Sequence, residues 1–201
     1  MAILSENEIP EIKEREREIL AVAAQLFAQD GFETVAVRNI AEKVGLSKAT
    51  LYHYFKDKDE IYARIVIDTL EKLCLITEEK VAEASTAREK LAYFMEANAR
   101  FFEENIWTAT AMLLGLGGLK QPHARDKAAY WRDRHEQNIR QIIEAGIAQG
   151  EFREIDPVVG GRAILSTLNW MARWYKPEGP RRAAEFAQDY ANFFLEGFNR
   201  G

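Results

Sequence analysis

Apolar residues recur every three to four positions along most of the chain, and no run alternates apolar and polar residues as a strand would. This pattern predicts an all-α protein. A first helix is expected over residues 12–29, and a long helix should open at residues 56–59 and run to about Thr77. Further helices are predicted to begin after Thr86 and to cover residues 107–114, 124–149, 158–175 and 181–198.

The segment VRNIAEKVGLSKATLYHYF, residues 37–55, predicts two short helices joined by a tight turn. Gly45 can adopt the positive φ that ends the first helix, and Ser47 can cap the second. In a helix-turn-helix, the start of the second helix enters the major groove of DNA. Here that first turn consists of Lys48, Ala49 and Thr50, which can hydrogen-bond base edges or contact a thymine methyl.

The 201-residue chain is 47% hydrophobic and carries a net charge of −5. It contains neither an apolar run long enough to span a bilayer nor a recognisable signal peptide, so we predict a globular, cytoplasmic protein. The negative net charge excludes indiscriminate binding to nucleic acids, so any DNA binding requires a local basic patch. Such a patch coincides with the two short helices and comprises Arg38, Lys43, Lys48, Lys56 and Lys58.

Signatures of catalysis, metal binding or a cofactor are not recognisable in the sequence. The histidines His53, His123 and His135 lack metal-ligand spacing, and no glycine-rich phosphate loop follows a strand. The single Cys74 cannot form an internal disulfide and is predicted to pack as a small apolar side chain. We therefore predict a protein that is not an enzyme, with no catalytic residues, no metal and no cofactor.

The breaker KPEGP, residues 176–180, predicts that the last two helices form an antiparallel hairpin. The final helix has an apolar face that is wider than one neighbouring helix would cover. Its members are Ala183, Phe186, Ala187, Tyr190, Phe193, Phe194, Gly197 and Phe198. Either this face packs inside the monomer, or the last two helices of two chains form a four-helix dimer interface, which we favour.

The penultimate helix carries a polar stripe on an otherwise apolar sequence. A 4-3-4 spacing aligns Arg162, Ser166, Asn169 and Arg173, with Trp170 and Trp174 beside them. Two interpretations remain open. The stripe can face water over a tryptophan-containing core, or its arginines can meet an anionic ligand or a partner's carboxylate.

The order of a first helix, then IAEKVGLSKATLYHYFKDKDEIY, then an all-helical remainder resembles the TetR family of bacterial transcriptional regulators. The resemblance implies a three-helix DNA-binding domain over residues 1–57. It also implies a ligand-binding and dimerisation domain over residues 58–201. Carried over position by position, the implied DNA contacts are Arg38, Ser47, Lys48, Ala49, Thr50, Tyr52, His53, Tyr54 and Lys58.

The segment NWMARWYKPEGP resembles a TetR sub-group that controls fatty-acid or steroid catabolism in response to acyl-coenzyme A thioesters. That resemblance implies phosphate contacts from Arg162 and Arg173 and an apolar channel for the acyl chain. Candidate lining residues are Phe94, Phe101, Phe102, Trp107, Met112 and Trp131, each of which could instead be plain core, and Asn98 and His135 are candidate polar anchors.

The family resemblance leads to a functional expectation. We expect a homodimeric repressor that binds a pseudo-palindromic operator and releases it when a small molecule occupies the C-terminal domain, with an acyl-coenzyme A as the candidate effector. Two alternatives remain: a DNA-binding protein that senses no ligand, and a repressor of a response to drugs or other hydrophobic compounds.

Overall fold

The computed structural model describes residues 8–115 and 119–198, with side chains from residue 13 onward. These residues form helices without any strand, which confirms the predicted all-α class. The helices are α1 (Glu8–Asp30), α2 (Val37–Lys43), α3 (Lys48–Tyr54), α4 (Lys58–Ala82), α5 (Ala87–Glu104), α6 (Ile106–Leu114), α7 (Pro122–Ala148), α8 (Pro157–Trp174) and α9 (Ala183–Gly197).

Most helix ends lie where the capping residues predict them. The Thr86 side chain accepts from the backbone N–H of Glu89, whose own side chain accepts from the N–H of Thr86, and this capping box starts α5. Asp156 caps α8, and Pro157 occupies its first turn. At the other ends, Gly31 and Gly150 follow α1 and α7 with φ angles of 84° and 75°.

The long helix α4 does not end near Thr77, as the sequence pattern predicts, but continues to Ala82. Thr77 is fully buried, and its hydroxyl donates to the carbonyls of Leu73 (2.8 Å) and Cys74 (2.9 Å), one turn earlier in the same helix. Because these bonds satisfy the hydroxyl within the helix, Thr77 does not end α4.

The chain divides into two compact units. The first comprises the described parts of Met1–Asp68 and Trp107–Arg125, and the second those of Thr69–Ile106 and Asp126–Gly201. The division therefore falls inside α4, and α6 from Trp107 onward belongs to the first unit. The division that the family resemblance implies, at residues 57 and 58, stays a prediction about function.

In the first unit, α1 to α3 and the start of α4 enclose an aromatic core. The rings of Phe27, Phe32 and Tyr62 contact one another at centroid distances of 4.7 to 5.9 Å. The Tyr62 hydroxyl also donates to the carbonyl of Ala111 in α6, at 3.3 Å. Burial raises the pKa of Tyr62 to about 12, so the hydroxyl remains a proton donor at neutral pH.

In the second unit, α5 packs against α8 and α9. The Glu151 carboxylate accepts from the backbone N–H groups of Ala87 (3.1 Å) and Arg88 (3.0 Å), which ties the segment after α7 to the start of α5. A carboxylate at a helix N-terminus is favourable, because it satisfies free donors and complements the helix dipole.

Candidate functional site

The helix-turn-helix is formed by α2, the turn at residues 44–47, and α3. Gly45 has the positive φ, 69°, that the sequence predicts, and the N–H of Leu46 donates to the carbonyl of Ala41 at 2.8 Å. The Ser47 hydroxyl caps α3 by accepting from the N–H of Thr50 at 3.0 Å. Ile40, Ala41 and Leu51 are fully buried, so the two short helices are held together by their inner faces.

The outer face of this motif presents side chains that suit DNA. Lys48 and Ala49 at the start of α3 are exposed, and the Lys48 ammonium lies 5.6 Å from the ring centre of Tyr52, which is also exposed. Thr50 is half-buried, with its hydroxyl 2.7 Å from that of Ser47. The first turn of α3 is therefore open to a groove, as base reading requires.

The other predicted DNA contacts surround this turn. Arg38 and His53 are exposed and Tyr54 is half-buried. The Arg38 guanidinium lies 3.3 Å from the Glu42 carboxylate, an exposed pair that contributes little to stability and can yield to a phosphate. The structure thus gives these residues access to DNA, and their contacts with it stay predictions.

The side chain of Lys58, which was predicted to contact DNA, is surrounded by groups of the protein itself. Its ammonium donates to the backbone carbonyls of Phe32 (2.6 Å), Val35 (2.9 Å) and Glu33 (3.4 Å), and lies 4.3 Å from the centre of the Phe32 ring. All three N–H donors are occupied, so a phosphate would have to compete with these carbonyls. The side chain instead ties the start of α4 to the loop between α1 and α2.

Replacing Lys58 with methionine should therefore lower the free energy of unfolding by about 2 kcal/mol, because the carbonyls lose a charged donor. Urea denaturation measures this loss. Lys56→Met, which alters an exposed lysine two residues earlier, is the matched control and should leave stability unchanged. A Lys58→Met protein of unchanged stability and weakened DNA binding would instead favour the phosphate contact.

The second unit contains a buried polar network around His135. Its Nδ1 lies 3.3 Å from the Thr77 hydroxyl, its Nε2 accepts from the Asn98 side-chain N–H at 2.9 Å, and Phe94 stacks on the ring at 4.9 Å between centroids. Since Thr77 already donates to backbone carbonyls, the neutral ring with its proton on Nδ1 satisfies every partner. Burial lowers the pKa of His135 to about 4.

Beside this network lies a cleft of about 420 Å³ between α4, α5 and α7. Its lining is mainly apolar, with a few polar groups. The lining residues are Thr77, Glu78, Val81, Ala82, Ala84, Lys90, Phe94, Asn138, Gln141, Ile142 and Ala145. Both its volume and its character are typical of a small-molecule site.

A charged cluster borders this cleft. Arg134 donates to both oxygens of Glu78 (2.7 and 2.5 Å), and the Asn138 amide adds a third bond at 2.8 Å. The hydrogen bond from Arg134 is the main cause that lowers the pKa of Glu78. Burial and the neighbouring Glu78 raise the pKa of the Cys74 thiol to about 12, so this cysteine is a poor nucleophile.

The structure separates the predicted ligand-binding residues into groups. Phe94 lines the cleft, and Asn98 and His135 lie directly behind it. Phe101 borders a smaller cleft between α4 and α5, and Phe102 packs on Tyr175 at 5.8 Å. Trp131 is half-buried beneath the Arg134 guanidinium, whereas Trp107 and Met112 belong to the other unit.

The predicted polar stripe of α8 lies on the surface of the second unit. Its four members, Arg162, Ser166, Asn169 and Arg173, are exposed. Trp170 and Trp174 beside them are exposed as well, so they do not form a core beneath the stripe. Arg162 lies 3.4 Å from the carboxylate of Glu136, and none of the six lines either cleft described above. The spacing correctly predicts a common face, but that face is open, and its role in ligand binding stays a prediction.

Sequence reasoning missed most of the cleft, including Thr77, Glu78, Lys90, Asn138 and Gln141. The only sequence feature that could have indicated these residues is that they are polar residues on the inward faces of α4, α5 and α7. The periodic pattern alone does not distinguish such positions from polar positions that face solvent. In the described part of the chain, no cluster of three or more potential metal ligands occurs. Nor is any helix there long and apolar enough to cross a membrane.

The exposed first turn of α3 and the all-helical second unit define the class of protein. It is a DNA-binding regulator with a helix-turn-helix and a second helical unit. Residues 19–65 match the model for bacterial regulatory proteins of the tetR family, and residues 84–198 match the tetracyclin repressor-like C-terminal domain. The chain belongs to the TetR family of transcriptional regulators, which are DNA-binding proteins and not enzymes.

Characterised relatives cover nearly the whole chain. It is 28% identical over 195 residues to the transcriptional repressor KstR2 of Mycolicibacterium smegmatis, spanning 92% of this chain and 91% of that one. The TetR family regulator PfmR from Thermus thermophilus is 46% identical, with a TM-score of 0.84 over 90% of this chain and 99% of PfmR.

A second solved structure shares the fold. AibR, crystallised with isovaleryl coenzyme A and operator DNA, is 22% identical and has a TM-score of 0.80 over 89% of this chain and 97% of AibR. Together, the two family models identify this protein as a TetR-type transcriptional regulator.

Proposed function

We propose that this regulator is a repressor, which binds a pseudo-palindromic operator as a homodimer and releases it when an effector occupies the second unit. The observation that carries the proposal is the first turn of α3, where Lys48 and Ala49 are solvent-exposed above a fully buried inner face. A single recognition helix of this size contacts only a few base pairs, and two copies on successive major grooves would double the number of base pairs read.

The surface formed by α8 and α9 supports the dimer. Val159, Trp170 and Phe193 expose 64%, 63% and 67% of their surface, and Trp174 packs on Phe186 to join the two helices. Large apolar side chains exposed on two helices that contact each other are typical of a protein interface. Two copies of this hairpin, related by a two-fold axis, would bury these side chains in a four-helix arrangement.

Release follows from the spacing of the two reading helices. They must lie about 34–36 Å apart to enter successive grooves on one side of B-DNA. An effector that binds more tightly to a dimer with a different spacing weakens DNA binding. The loss of binding free energy equals the difference between the effector's affinities for the two dimer conformations, typically about 1–3 kcal/mol. We assign the transmission to α4, because this helix runs without interruption from the first unit into the second.

An acyl-coenzyme A is the effector class that the chain's relatives favour. AibR, which shares the fold, was crystallised with isovaleryl coenzyme A. The cleft beside Phe94 offers an apolar wall of the size that part of such a ligand needs. Titration of a repressor–operator complex with acyl-coenzyme A thioesters tests this, since a ligand-independent DNA-binding protein would remain on the operator at every concentration.

The role of Lys48 gives a direct test of DNA reading. Lys48→Ala should weaken operator binding by about 1–3 kcal/mol and relax the base preference at one position of each half-site, because a base contact carries sequence information. The measurement is a binding selection from a random duplex pool followed by titration of the selected operator. Lys43→Ala, which removes an exposed cation of the same basic patch at the end of α2, is the control for base preference and should leave that preference unchanged. An unchanged base preference in Lys48→Ala would remove Lys48 from the reading surface.

A further inference from the structure

The turn of the helix-turn-helix accepts a hydrogen bond from a side chain of α1. The Arg15 guanidinium donates through Nη2 to the backbone carbonyl of Val44, at 3.1 Å. Val44 is buried and forms the C-cap of α2, directly before Gly45. In the described part of the chain no backbone N–H donates to this carbonyl, so Arg15 supplies its hydrogen bond. A cation is also favourable at this position, because the C-terminal end of a helix carries partial negative charge.

Glu18 orients the Arg15 side chain. Its carboxylate, one turn later in α1, pairs with Nη1 of Arg15, while Nη2 of the same guanidinium points at Val44. The planar guanidinium therefore bridges two acceptors in a fixed geometry, which a lysine ammonium cannot reproduce fully. Arg15 is half-buried by these contacts, whereas Arg17, two residues later, is exposed.

Such a contact affects the whole motif because its helices are short. α2 and α3 contain seven residues each, and helices of that length are not stable alone, so contacts with the rest of the first unit fix their positions. Lys58 of α4 binds carbonyls of the loop before α2, and Arg15 of α1 binds the carbonyl after it. Cations of two neighbouring helices thus hold α2 at both ends.

We propose that Arg15 is a positioning residue for DNA recognition, which fixes the turn after α2 and thereby the direction of α3. The path to the DNA-facing side chains is short, since the positive φ of Gly45 directs the chain into Ser47, the cap of α3. Arg15 lies outside residues 19–65, which match the family model, so its contact is not part of the pattern that identifies the family. This inference rests on the proposed function and deepens it, because it adds a residue to operator recognition.

Operator binding by three variants tests the role. Arg15→Met removes the donors, so fewer molecules hold the competent turn and the affinity for the selected operator should fall about tenfold. Affinity for a duplex of scrambled sequence should change no more than in Arg17→Met, the matched control, which removes an exposed cation from the same helix. Arg15→Lys keeps a charged donor and should recover about threefold of the lost operator affinity.

The salt dependence of binding distinguishes positioning from a direct phosphate contact. Loss of a phosphate contact flattens the plot of log affinity against log salt by about 0.9 and weakens operator and scrambled duplex alike. For a positioning residue, the slope of Arg15→Met equals that of Arg17→Met, and the ratio of the two affinities falls. A flattened slope with an unchanged ratio, or affinities equal to those of Arg17→Met on both duplexes, would overturn the proposal.

Hydrogen exchange without DNA measures the turn itself. The N–H groups of Gly45 and Leu46 donate to carbonyls of α2 at 3.2 and 2.8 Å, so their protection reports whether the turn is formed. Arg15→Met should accelerate exchange at these two amides about tenfold, whereas Arg17→Met should not change it. Acceleration that is equal throughout the first unit would indicate a general loss of stability, and unchanged exchange at the turn would indicate no role there. Either result would refute the positioning role.

The two measurements separate this inference from the proposed function. If the wild type binds every duplex equally, the operator and the proposed function fail, and exchange at Gly45 and Leu46 alone decides whether Arg15 fixes the turn. If the wild type selects an operator and Arg15→Met binds it with wild-type affinity, the proposed function stands and this inference is wrong.

Discussion

Replacing Trp170 and Phe193 together with glutamate should convert the proposed homodimer into monomers and weaken operator binding on the order of 100-fold or more. Both side chains are about two-thirds exposed in the single chain, so the substitutions remove little from its core. In the proposed dimer they would bury four carboxylates in an apolar interface, which costs far more than the interface gains. Sedimentation or light scattering measures the mass, and operator titration measures the affinity.

The operator affinity falls because the two DNA-binding motifs, one for each half-site, are no longer held together in one dimer. A dimer binds its second half-site at an effective concentration in the millimolar range, an advantage of about 10²–10⁴ that a monomer lacks. Tyr130→Glu is the matched control, because it places the same charge at an exposed aromatic position on α7, outside the α8–α9 surface. A double variant that remains dimeric with a native helical spectrum would show that α8 and α9 do not form the interface.

The reading motif could be predicted from sequence because its determinants are local. Gly45 must take a positive φ, Ser47 must cap the next helix, and Leu51 must face inward, and each requirement is met within a few residues along the chain. The same reasoning located the starts of α5 and α8 from Thr86 and Asp156. Such short-range signals do not depend on which helices pack together.

The contacts of Lys58 and Thr77 could not be predicted, because their partners lie far away in sequence. Lys58 donates to carbonyls 23 to 26 positions earlier, and Thr77 contacts a histidine 58 positions later. A periodic pattern assigns a residue to a helix face but does not specify which neighbour covers that face. For this reason the spacing correctly aligned the α8 stripe, whereas of the residues that line the cleft between α4, α5 and α7 only Phe94 was predicted.

The buried His135 should make the stability of the second unit depend on pH. Its folded-state pKa, about 4, lies below the ordinary value of 6.5, mainly because of burial and against a smaller opposing effect of Glu78. The unfolded chain therefore binds a proton more readily than the folded one between these values. Stability should be fully present above pH 6.5 and decline as the pH falls towards 4, by roughly 3 kcal/mol in total.

Chemical denaturation from pH 4 to pH 7 measures this decline, and His135→Phe identifies its source. The variant keeps an aromatic ring against Phe94 but cannot take up a proton, so it should be less stable at pH 7 and show a much flatter profile. His53→Gln and His123→Gln are the controls, because both histidines are exposed and their replacement should leave the wild-type slope unchanged.

Loss of the Glu78 ion pair also destabilises the protein in acid, but that carboxylate takes up its proton only below its ordinary pKa of 4.5. If His135→Phe retained the full slope between pH 6.5 and 4.5, the source would have to be another group, and the neutral hydrogen-bonded network inferred for Thr77, His135 and Asn98 would be wrong.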